Sequence, residues 1–299
     1  MTKLGDTMPQ RAAIFGVGSM GTRYMAMLAD TYGLSTDDIF LTDLPATVHK
    51  WKQSPVGQAH HWFKSPTDLR EQLEGWPLDL AIISTPADTH VELLAEVASL
   101  FPTAAVLVEK PLTNGRLDDL VGYLSPTLFT RHIAVGYNWR FHPWVRQLAM
   151  RADEITNLSL YVAEDMRNWP GVRYGMPLYE FSHEFDMVRL LLTNPEVMKV
   201  TVKDDRYSVF GEHERGHWRV VIRSSSTPIG RWFRMRLENG LGVSGHWPTD
   251  SATIEQTYAS QLSNVVDTMD GDDGPTGLEC PLWEGVGTAH FVDSIASRL

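Results

Sequence analysis

The first half of the chain alternates short apolar runs with longer stretches whose apolar residues recur at helical spacing. Tyr24 and Leu28, for example, lie one turn apart in an otherwise mixed stretch. The apolar runs have the length of strands and cover residues 12–15, 39–41, 59–64, 78–84, 103–108 and 132–136. Strand and helix in alternation predict an α/β fold for residues 1–137, with a doubly wound parallel sheet behind a mobile tail at 1–11.

The pattern changes after residue 137. Strand patterns now follow one another, at 158–164, 197–203, 217–223, 230–237 and 240–246. Helical patterns stand at 179–192, 254–269 and 281–299. Strands in succession favour hairpins over crossovers, so residues 138–299 are expected to form an α+β domain with a mostly antiparallel, open sheet.

Composition and charge narrow the class of protein. The chain has 299 residues, 43% of them hydrophobic, which is enough for two cores. Its formal net charge of -11 and the lack of a basic run argue against nucleic acid or an anionic membrane as a partner. The single cysteine, Cys280, cannot form an internal disulfide, and no apolar stretch has the length of a membrane span. We therefore expect a cytoplasmic protein whose main partner is a small molecule.

A glycine-rich segment joins the first predicted strand to the first predicted helix. It reads Gly16-Val17-Gly18-Ser19-Met20-Gly21. In such a loop the first glycine permits the turn, the second admits a pyrophosphate to the backbone, and the third lets helix and strand pack closely. The phosphates then lie on the helix N-terminus, where unpaired N–H groups and the helix dipole favour anions. The segment therefore predicts a dinucleotide site.

Asp43 ends the second apolar run, 22 residues after Gly21. A carboxylate at this strand end can accept hydrogen bonds from an adenosine ribose and repels a 2′-phosphate, which favours NAD over NADP. The side chains of Arg23, Lys50 and Lys52 can still bind a 2′-phosphate, so NADP remains an alternative cofactor. The alternative is that Asp43 only caps the turn that follows it.

Polar residues follow the fourth and fifth predicted strands, at the strand ends where an open parallel sheet binds its ligands. They are Ser84, Thr85, Pro86 and His90 after the fourth strand, and Glu109 and Lys110 after the fifth. A lysine held over a cofactor ring can exchange a proton with a substrate hydroxyl, because partial burial makes the ammonium easier to deprotonate. The alternative is a solvated Lys110 paired with Glu109 in an exposed loop.

Five segments together resemble the Gfo/Idh/MocA family of dinucleotide-dependent oxidoreductases. In chain order they are GVGSMG, STPADTH, VLVEKPL, VGYNWRFHP and FSHEFDMVRLLL. The resemblance implies a Rossmann domain followed by an α+β domain whose open sheet commonly forms a subunit interface, and hence a homodimer or homotetramer. It also implies hydride transfer between a nicotinamide cofactor and a secondary alcohol or ketone of a sugar, cyclitol or related polyol.

The resemblance assigns roles to residues by position. Lys110 matches the family's E-K-P lysine, and His183 and Asp186 match its H-x-x-D motif. His183 is then expected to take the hydroxyl proton while Lys110 hydrogen-bonds the same oxygen, with Asp186 at the substrate. Many members carry an aspartate four residues before the histidine, but this chain has Tyr179 there and Glu180 next to it. Glu180 could orient His183, Tyr179 could be the proton donor, or His183 could be a helix histidine without a catalytic role.

The segment Tyr137–Pro143 matches a family segment at the nicotinamide end of the cofactor. Asn138 and Arg140 are therefore expected to contact cofactor or substrate. Trp139 and Phe141 are expected to pack in the core.

A loop before the His183 helix carries Arg167, Trp169 and Arg173. The arginines can grip a carboxylate or phosphate, and Trp169 can stack on a sugar face. The loop resembles a family branch associated with nucleotide-sugar and acidic-sugar pathways, which implies an anionic or nucleotide-linked substrate. Exposed loop arginines without a ligand are the alternative.

The run from His213 to His217 fits H-E-x-x-H, the zinc-protease motif, whose chemistry requires a helix so that both histidines share a face. Gly211 and Gly216 predict a turn here, and alternating residues after it predict a strand. No metal is expected.

Two other functions are compatible with the sequence. One is a glycosidase of the same fold that retains NAD and passes through a transient 3-keto sugar with no net redox change. The other is a cofactor-binding regulatory protein without catalysis, against which Lys110 and His183 argue.

Overall fold

The structure, a computed structural model, describes residues 8–114, 122–165, 177–204, 206–225, 232–237, 251–269 and 274–299. The chain folds into two compact units. The first comprises Met1–Gly136 and Gln261–Gly285, and the second comprises Tyr137–Ser260 and Val286–Leu299. The sequence-based division instead gave everything after residue 137 to the second domain.

The first unit is built on a six-stranded parallel sheet. Its strands are β1 (Ala12–Phe15), β2 (Ile39–Thr42), β3 (His61–Trp62), β4 (Leu80–Ile83), β5 (Ala105–Val108) and β6 (Ile133–Val135). They lie in the order β3-β2-β1-β4-β5-β6, the Rossmann order, with its reversal between β1 and β4. This confirms the predicted doubly wound sheet and sets the carboxyl ends of β1 and β4 side by side.

The two edges of this sheet differ from each other. Every residue of β1, β4, β5 and β6 is buried, as expected of strands covered on both faces. Edge strand β3 pairs with β2 over only two residues and is shorter than the predicted run, because it has no second neighbour. At the other edge Ala134 forms a bridge with Pro281, which helps explain why Gln261–Gly285 belongs to the first unit.

Helices connect the strands of the first unit. They are α1 (Ser19–Asp30), α2 (Pro45–Lys52), α3 (Pro55–Gln58), α4 (Pro66–Gln72) and α5 (His90–Leu100), with a 3-10 turn at Pro126–Thr130. The hydroxyl of Ser65 accepts a hydrogen bond from the Asp68 N–H and so caps the start of α4. A helix that the sequence favours at 117–124 lies largely outside the described residues.

The second unit contains a five-stranded sheet. Its strands are β7 (Asn157–Asp165), β8 (Glu196–Lys203), β9 (Arg206–His213), β10 (Gly216–Ser225) and β11 (Trp232–Leu237). They lie in the order β11-β7-β10-β9-β8, and only the β7–β10 pair is parallel. This confirms a mostly antiparallel sheet. The strand predicted at 240–246 lies outside the described residues.

Strand β9 is an element that the sequence pattern missed. The alternation of buried side chains along β9 stops at Gly211, where a Cβ would lie 2.2 Å from Cε2 of Trp218. The indole of Trp218 therefore takes the space that an apolar side chain on β9 would otherwise fill. The H-E-x-x-H run spans the end of β9 and the start of β10, so it lies in a hairpin, as predicted, and its histidines share no helix face.

The remaining helices are α6 (Pro143–Ala149), α7 (Pro177–Glu180), α8 (Ser182–Leu191), α9 (Ser251–Asp267) and α10 (Leu282–Ala296), with 3-10 turns at Asn138–Phe141, Ala152–Glu154 and Gly274–Gly277. The single helix predicted at 179–192 is thus two segments, separated at Phe181, whose ψ of 20° leaves the helical range. Helix α8 packs on the inner face of the sheet, in a core that includes Leu160, Phe185, Val188, Trp218, Val220 and Ile222. Among the described residues, no helix combines the length and apolarity that a membrane crossing requires.

Candidate active site

The glycine loop between β1 and α1 has the geometry of a phosphate cradle. Gly16 has a φ of 91°, and a Cβ there would lie 2.8 Å from the backbone of Ser84, so turn and packing both require glycine. At Gly21 a Cβ would lie 1.9 Å from the carbonyl oxygen of Gly16, which lets α1 approach the loop closely. At Gly18 a Cβ would meet nothing within 4 Å. The space over Gly18 is open to a ligand, as the sequence predicts for the second glycine.

The N-terminus of α1 opens beside this loop. Gly18 is its N-cap, no side chain caps its first N–H groups, and Gly18 and Ser19 are exposed. Uncapped N–H groups and the positive end of the helix dipole favour an anion. An open glycine and an uncapped helix start therefore fit the pyrophosphate of a dinucleotide.

Asp43 follows β2 and reaches the same loop. Its Oδ2 accepts a hydrogen bond from the Val17 N–H at 2.7 Å, and its Oδ1 accepts one from the Leu44 N–H at 2.6 Å. The turn-capping alternative is therefore observed, but the carboxylate also braces the glycine loop. Each carboxylate oxygen of Asp43 has a second lone pair, so Asp43 can cap the turn and brace the loop and still accept a hydrogen bond from a ribose hydroxyl.

The residues that follow β4 connect the β4 loop to the glycine loop and to the β5 loop. The Ser84 hydroxyl donates to the Gly16 carbonyl at 2.7 Å, which links the β4 loop to the glycine loop. The ring of His90 is buried, with Nε2 at 2.6 Å from the Thr85 carbonyl and Nδ1 at 2.9 Å from the Pro111 carbonyl. Burial lowers the pKa of His90, while its contacts with the Pro111 and Thr85 carbonyls act in the opposite direction. His90 joins the β4 and β5 loops, and its expected direct contact with cofactor, like that of Pro86, stays a prediction.

Glu109 and Lys110 follow β5. Glu109 is buried, which excludes the alternative of an exposed loop. Its Oε1 accepts a hydrogen bond from the Tyr24 hydroxyl at 2.6 Å, and its Oε2 accepts one from the Lys110 N–H at 3.1 Å. Burial raises the pKa of Glu109, while the Tyr24 hydrogen bond and the Lys110 charge act in the opposite direction. Lys110 itself is half-buried at the strand end, as the sequence predicts.

In the second unit, His183 lies in the first turn of α8 and is 5% exposed. The indole of Trp139 stacks on its imidazole, with ring centroids 4.9 Å apart and planes 7° apart. Tyr137 meets the same imidazole edge-on, at 5.8 Å and 81°. The sequence analysis expected Trp139 only to pack, whereas its packing partner is the candidate catalytic histidine.

Asp186 and Arg140 bind each other. Arg140 Nε donates to Asp186 Oδ2 at 2.8 Å and Nη2 donates to Oδ1 at 2.7 Å, and both side chains are buried. The Thr288 hydroxyl donates to Asp186 Oδ1 at 2.9 Å. Protein donors thus engage both carboxylate oxygens, which fits a bracing role for this pair, and the expected contacts of Arg140 and Asp186 with cofactor or substrate stay a prediction.

Asn138 is buried beside these residues. Its Nδ2 donates to the Thr257 hydroxyl at 2.8 Å, while its Oδ1 is buried and accepts no hydrogen bond from any described residue. A buried acceptor without a donor is unfavourable unless a ligand supplies one. The expected contact of Asn138 with cofactor or substrate stays a prediction that this geometry suits.

Comparison with known families identifies the first unit. Residues 10–123 match the profile of GFO_IDH_MocA, described as an oxidoreductase family with an NAD-binding Rossmann fold. Residues 10–123, which lie within the first unit, are therefore similar to the Rossmann domain of this family. The family description agrees with the predicted cofactor, NAD.

A curated relative belongs to the same group. The rhizopine catabolism protein MocA of Rhizobium meliloti is 24% identical over 189 residues, which cover 60% of this chain. The matched stretch spans 56% of that relative's own length.

Several solved structures share the fold of this chain. A myo-inositol dehydrogenase from Corynebacterium glutamicum has a TM-score of 0.75 at 16% identity, covering 97% of this chain and 96% of that chain. The myo-inositol dehydrogenase from Lactobacillus casei in complex with NAD(H) and myo-inositol has 0.76 at 14%, covering 97% and 94%. The scyllo-inositol dehydrogenase from Lactobacillus casei with NAD(H) and scyllo-inositol has 0.71 at 13%, covering 97% of both. At these identities the likeness establishes the fold of both units.

Tyr179 stands at the position where the sequence resemblance leads to the expectation of an aspartate. Burial, the charge of Asp293 and a hydrogen bond to Asp293 together raise the pKa of Tyr179 to about 12. A group with so high a pKa releases its proton poorly near neutrality, which argues against Tyr179 as the proton donor. The alternative that Glu180 orients His183 stays a prediction.

Three residues expected at a Gfo/Idh/MocA substrate site, Arg167, Trp169 and Arg173, lie outside the described residues. Conversely, sequence reasoning missed Tyr24 and Gln261 as supports of Glu109. The Gln261 amide donates to the Tyr24 hydroxyl at 3.1 Å, and that hydroxyl donates to Glu109. Tyr24 carried a weak signal, since its hydroxyl stands on the buried face of α1 and needs a partner there.

Proposed function

We propose that the chain is an NAD-dependent dehydrogenase or reductase that interconverts a secondary hydroxyl and a ketone on a cyclitol or sugar-like polyol. The observation that carries this proposal is the glycine loop, with an open Gly18 beside an uncapped helix start in a Gfo/Idh/MocA Rossmann domain. Lys110 at the end of β5 and His183 at the start of α8 supply proton-transfer groups of the kind that a carbinol oxidation needs.

The described residues fit a bound NAD. Gly18 and Ser19 would hold the pyrophosphate through backbone N–H groups, and Asp43 would accept hydrogen bonds from the adenosine ribose. When bound, the nicotinamide supplies the hydride acceptor. Ser84, His90 and Glu109 hold the β4 and β5 loops in place around the cradle.

His183 and Lys110 are assigned different roles at the substrate oxygen. In oxidation the imidazole of His183 takes the proton of the substrate hydroxyl, and in reduction the imidazolium returns it to the carbonyl oxygen. The Lys110 ammonium hydrogen-bonds that oxygen and stabilises the negative charge that develops on it. Both roles are assigned by family position and by residue chemistry.

The substrate class is taken from the relatives. Several structures of similar fold are inositol dehydrogenases, and two of these were solved with NAD(H) and an inositol. A cyclitol therefore stands first among substrates to test, followed by sugars. The anionic or nucleotide-linked substrate that Arg167 and Arg173 imply stays a prediction, tested by the Michaelis constants of Arg167→Ala and Arg173→Ala.

The test is a spectrophotometric screen of NAD reduction against cyclitols, sugars and nucleotide sugars, repeated with NADP. We expect net NADH formation with a polyol, and a loss of about 10²- to 10⁴-fold in kcat in His183→Asn and in Lys110→Met with NAD binding retained. Because both residues act on one oxygen, the double variant should lose little more than the worse single variant. Glycoside hydrolysis without net NADH would support the glycosidase instead, and NAD binding without any turnover would support the regulatory protein.

A further inference from the structure

The candidate catalytic histidine is held by two aromatic rings from one neighbouring segment. Trp139 covers a face of the His183 imidazole, with the two planes 7° apart and the centroids 4.9 Å apart. Tyr137 approaches at 81° and 5.8 Å. All three side chains are buried and belong to the second unit.

Two contacts at nearly perpendicular angles restrict the ring in different ways. The stacked indole fixes the tilt of the imidazole plane, and the edge-on phenol limits its rotation within the remaining space. Stacking uses the π face of the imidazole, while Nδ1 and Nε2 lie in the ring plane. The indole can therefore orient the ring without using either nitrogen, which a hydrogen-bonding carboxylate could not do.

An ion pair sets the register of this stack. Arg140 follows Trp139 directly and forms its two hydrogen bonds with Asp186, which lies one helical turn after His183. The same two segments are thus joined twice, once by rings and once by charges. The buried ion pair fixes the backbone from which Trp139 reaches the imidazole.

We propose that Trp139 is the positioning residue of His183, orienting its imidazole for proton transfer through a ring stack whose register the Arg140–Asp186 pair sets. This inference rests on the proposed function of His183.

The test compares Trp139→Met with Trp139→Phe. Methionine fills much of the volume but has no ring, so we expect kcat to fall about 10- to 100-fold, while the polyol KM and the NAD dissociation constant change little. Phenylalanine restores a stacking face and should recover most of kcat. The matched control is Trp144→Met, a tryptophan five residues along that is 39% exposed and contacts His142 rather than His183. It should leave kcat unchanged.

A spectroscopic measurement separates positioning from general loss of structure. In spectra of the protein with ¹³C-labelled histidine, the His183 signal among the 11 histidines is identified by its absence in His183→Asn. The ring current of a stacked indole displaces this signal, so it should move in Trp139→Met, move less in Trp139→Phe, and stay in place in Trp144→Met.

The outcomes distinguish this inference from the proposed function. If His183→Asn abolishes turnover while Trp139→Met retains full kcat or leaves the His183 signal in place, the positioning role is wrong and the proposed function stands. If His183→Asn turns over normally, the catalytic role of His183 fails instead, and the positioning role fails with it. If Trp139→Met does not fold, the equally ringless Trp139→Leu takes its place, and a displaced His183 signal with unchanged kcat in that variant contradicts positioning.

Discussion

Each candidate catalytic residue stands near a buried carboxylate, but the two carboxylates are held in different ways. Glu109, next to Lys110, receives hydrogen bonds from the neutral Tyr24 hydroxyl and from a backbone N–H. Asp186, one turn after His183, receives two from a guanidinium and one from a hydroxyl. Both hydrogen-bond donors to Glu109 are uncharged groups, whereas Asp186 balances the charge of the buried Arg140 guanidinium.

This contrast extends to the surroundings of each site. In the first unit, backbone geometry does most of the positioning, through glycines, loop carbonyls and a helix terminus. In the second unit, side chains do it, through an ion pair and stacked rings. The backbone-built site of the first unit suits a cofactor that many proteins share. The side-chain-built site of the second unit can differ in its residues from one protein to another.

The largest effect is expected at the charged carboxylate. Asp186→Ala removes the carboxylate that accepts two hydrogen bonds from the buried Arg140 guanidinium, so the free energy of unfolding should fall by about 3–5 kcal/mol. Urea denaturation measures it. The double variant Arg140→Met/Asp186→Leu removes both charges and should recover much of the loss. If the single variant is as stable as the wild type, the two carboxylates are not held differently.

Glycine substitutions test the backbone-built site. At Gly21 a Cβ would lie 1.9 Å from the Gly16 carbonyl oxygen, so Gly21→Ala should cost about 1–3 kcal/mol and weaken NAD binding. Gly18→Ala is the matched control for folding, because its Cβ meets nothing within 4 Å. It should keep its stability and lose NAD affinity, measured by calorimetry. Full NAD affinity in Gly18→Ala would mean that no pyrophosphate approaches this backbone.

A smaller effect is expected at Tyr24, the residue that supports Glu109. Tyr24→Phe removes the donor to Glu109 and the acceptor of Gln261 while keeping the ring in the core. The free energy of unfolding should fall by about 1–2 kcal/mol, seen as a lower thermal midpoint. A decrease as large as that of Asp186→Ala would mean that the two carboxylates are equally constrained.

The smallest effect is a pH dependence at Glu109. Because burial raises its pKa in the folded state, the protonated form is favoured on folding, and the stability from this group is fully present below the unfolded-state pKa. That stability is lost as pH rises through the raised folded-state pKa. Glu109→Gln removes the titration, so its stability relative to wild type should increase as pH rises through this range. An unchanged difference across the range would show that Glu109 is not perturbed.

The sequence predicted the backbone-built site better than the side-chain-built one. Glycine spacing and a strand end are local patterns, so Gly16, Gly21 and the loop after β5 could be placed in advance. The Trp139–His183 stack joins residues 44 positions apart, and Gln261 reaches Tyr24 across 237 positions. No periodicity encodes such contacts. Strand β9 was missed for a related reason, since the apolar group over Gly211 comes from Trp218 on another strand.

The central claim is that substrate hydride passes to NAD at this protein, and isotope transfer tests it most directly. The best polyol from the substrate screen, deuterated at its carbinol carbons, is incubated with NAD and enzyme, and the resulting NADH is analysed by mass spectrometry and proton NMR. The account predicts one deuterium at C4 of the nicotinamide for each ketone formed. Unlabelled NADH, or polyol turnover without any NADH, would contradict it.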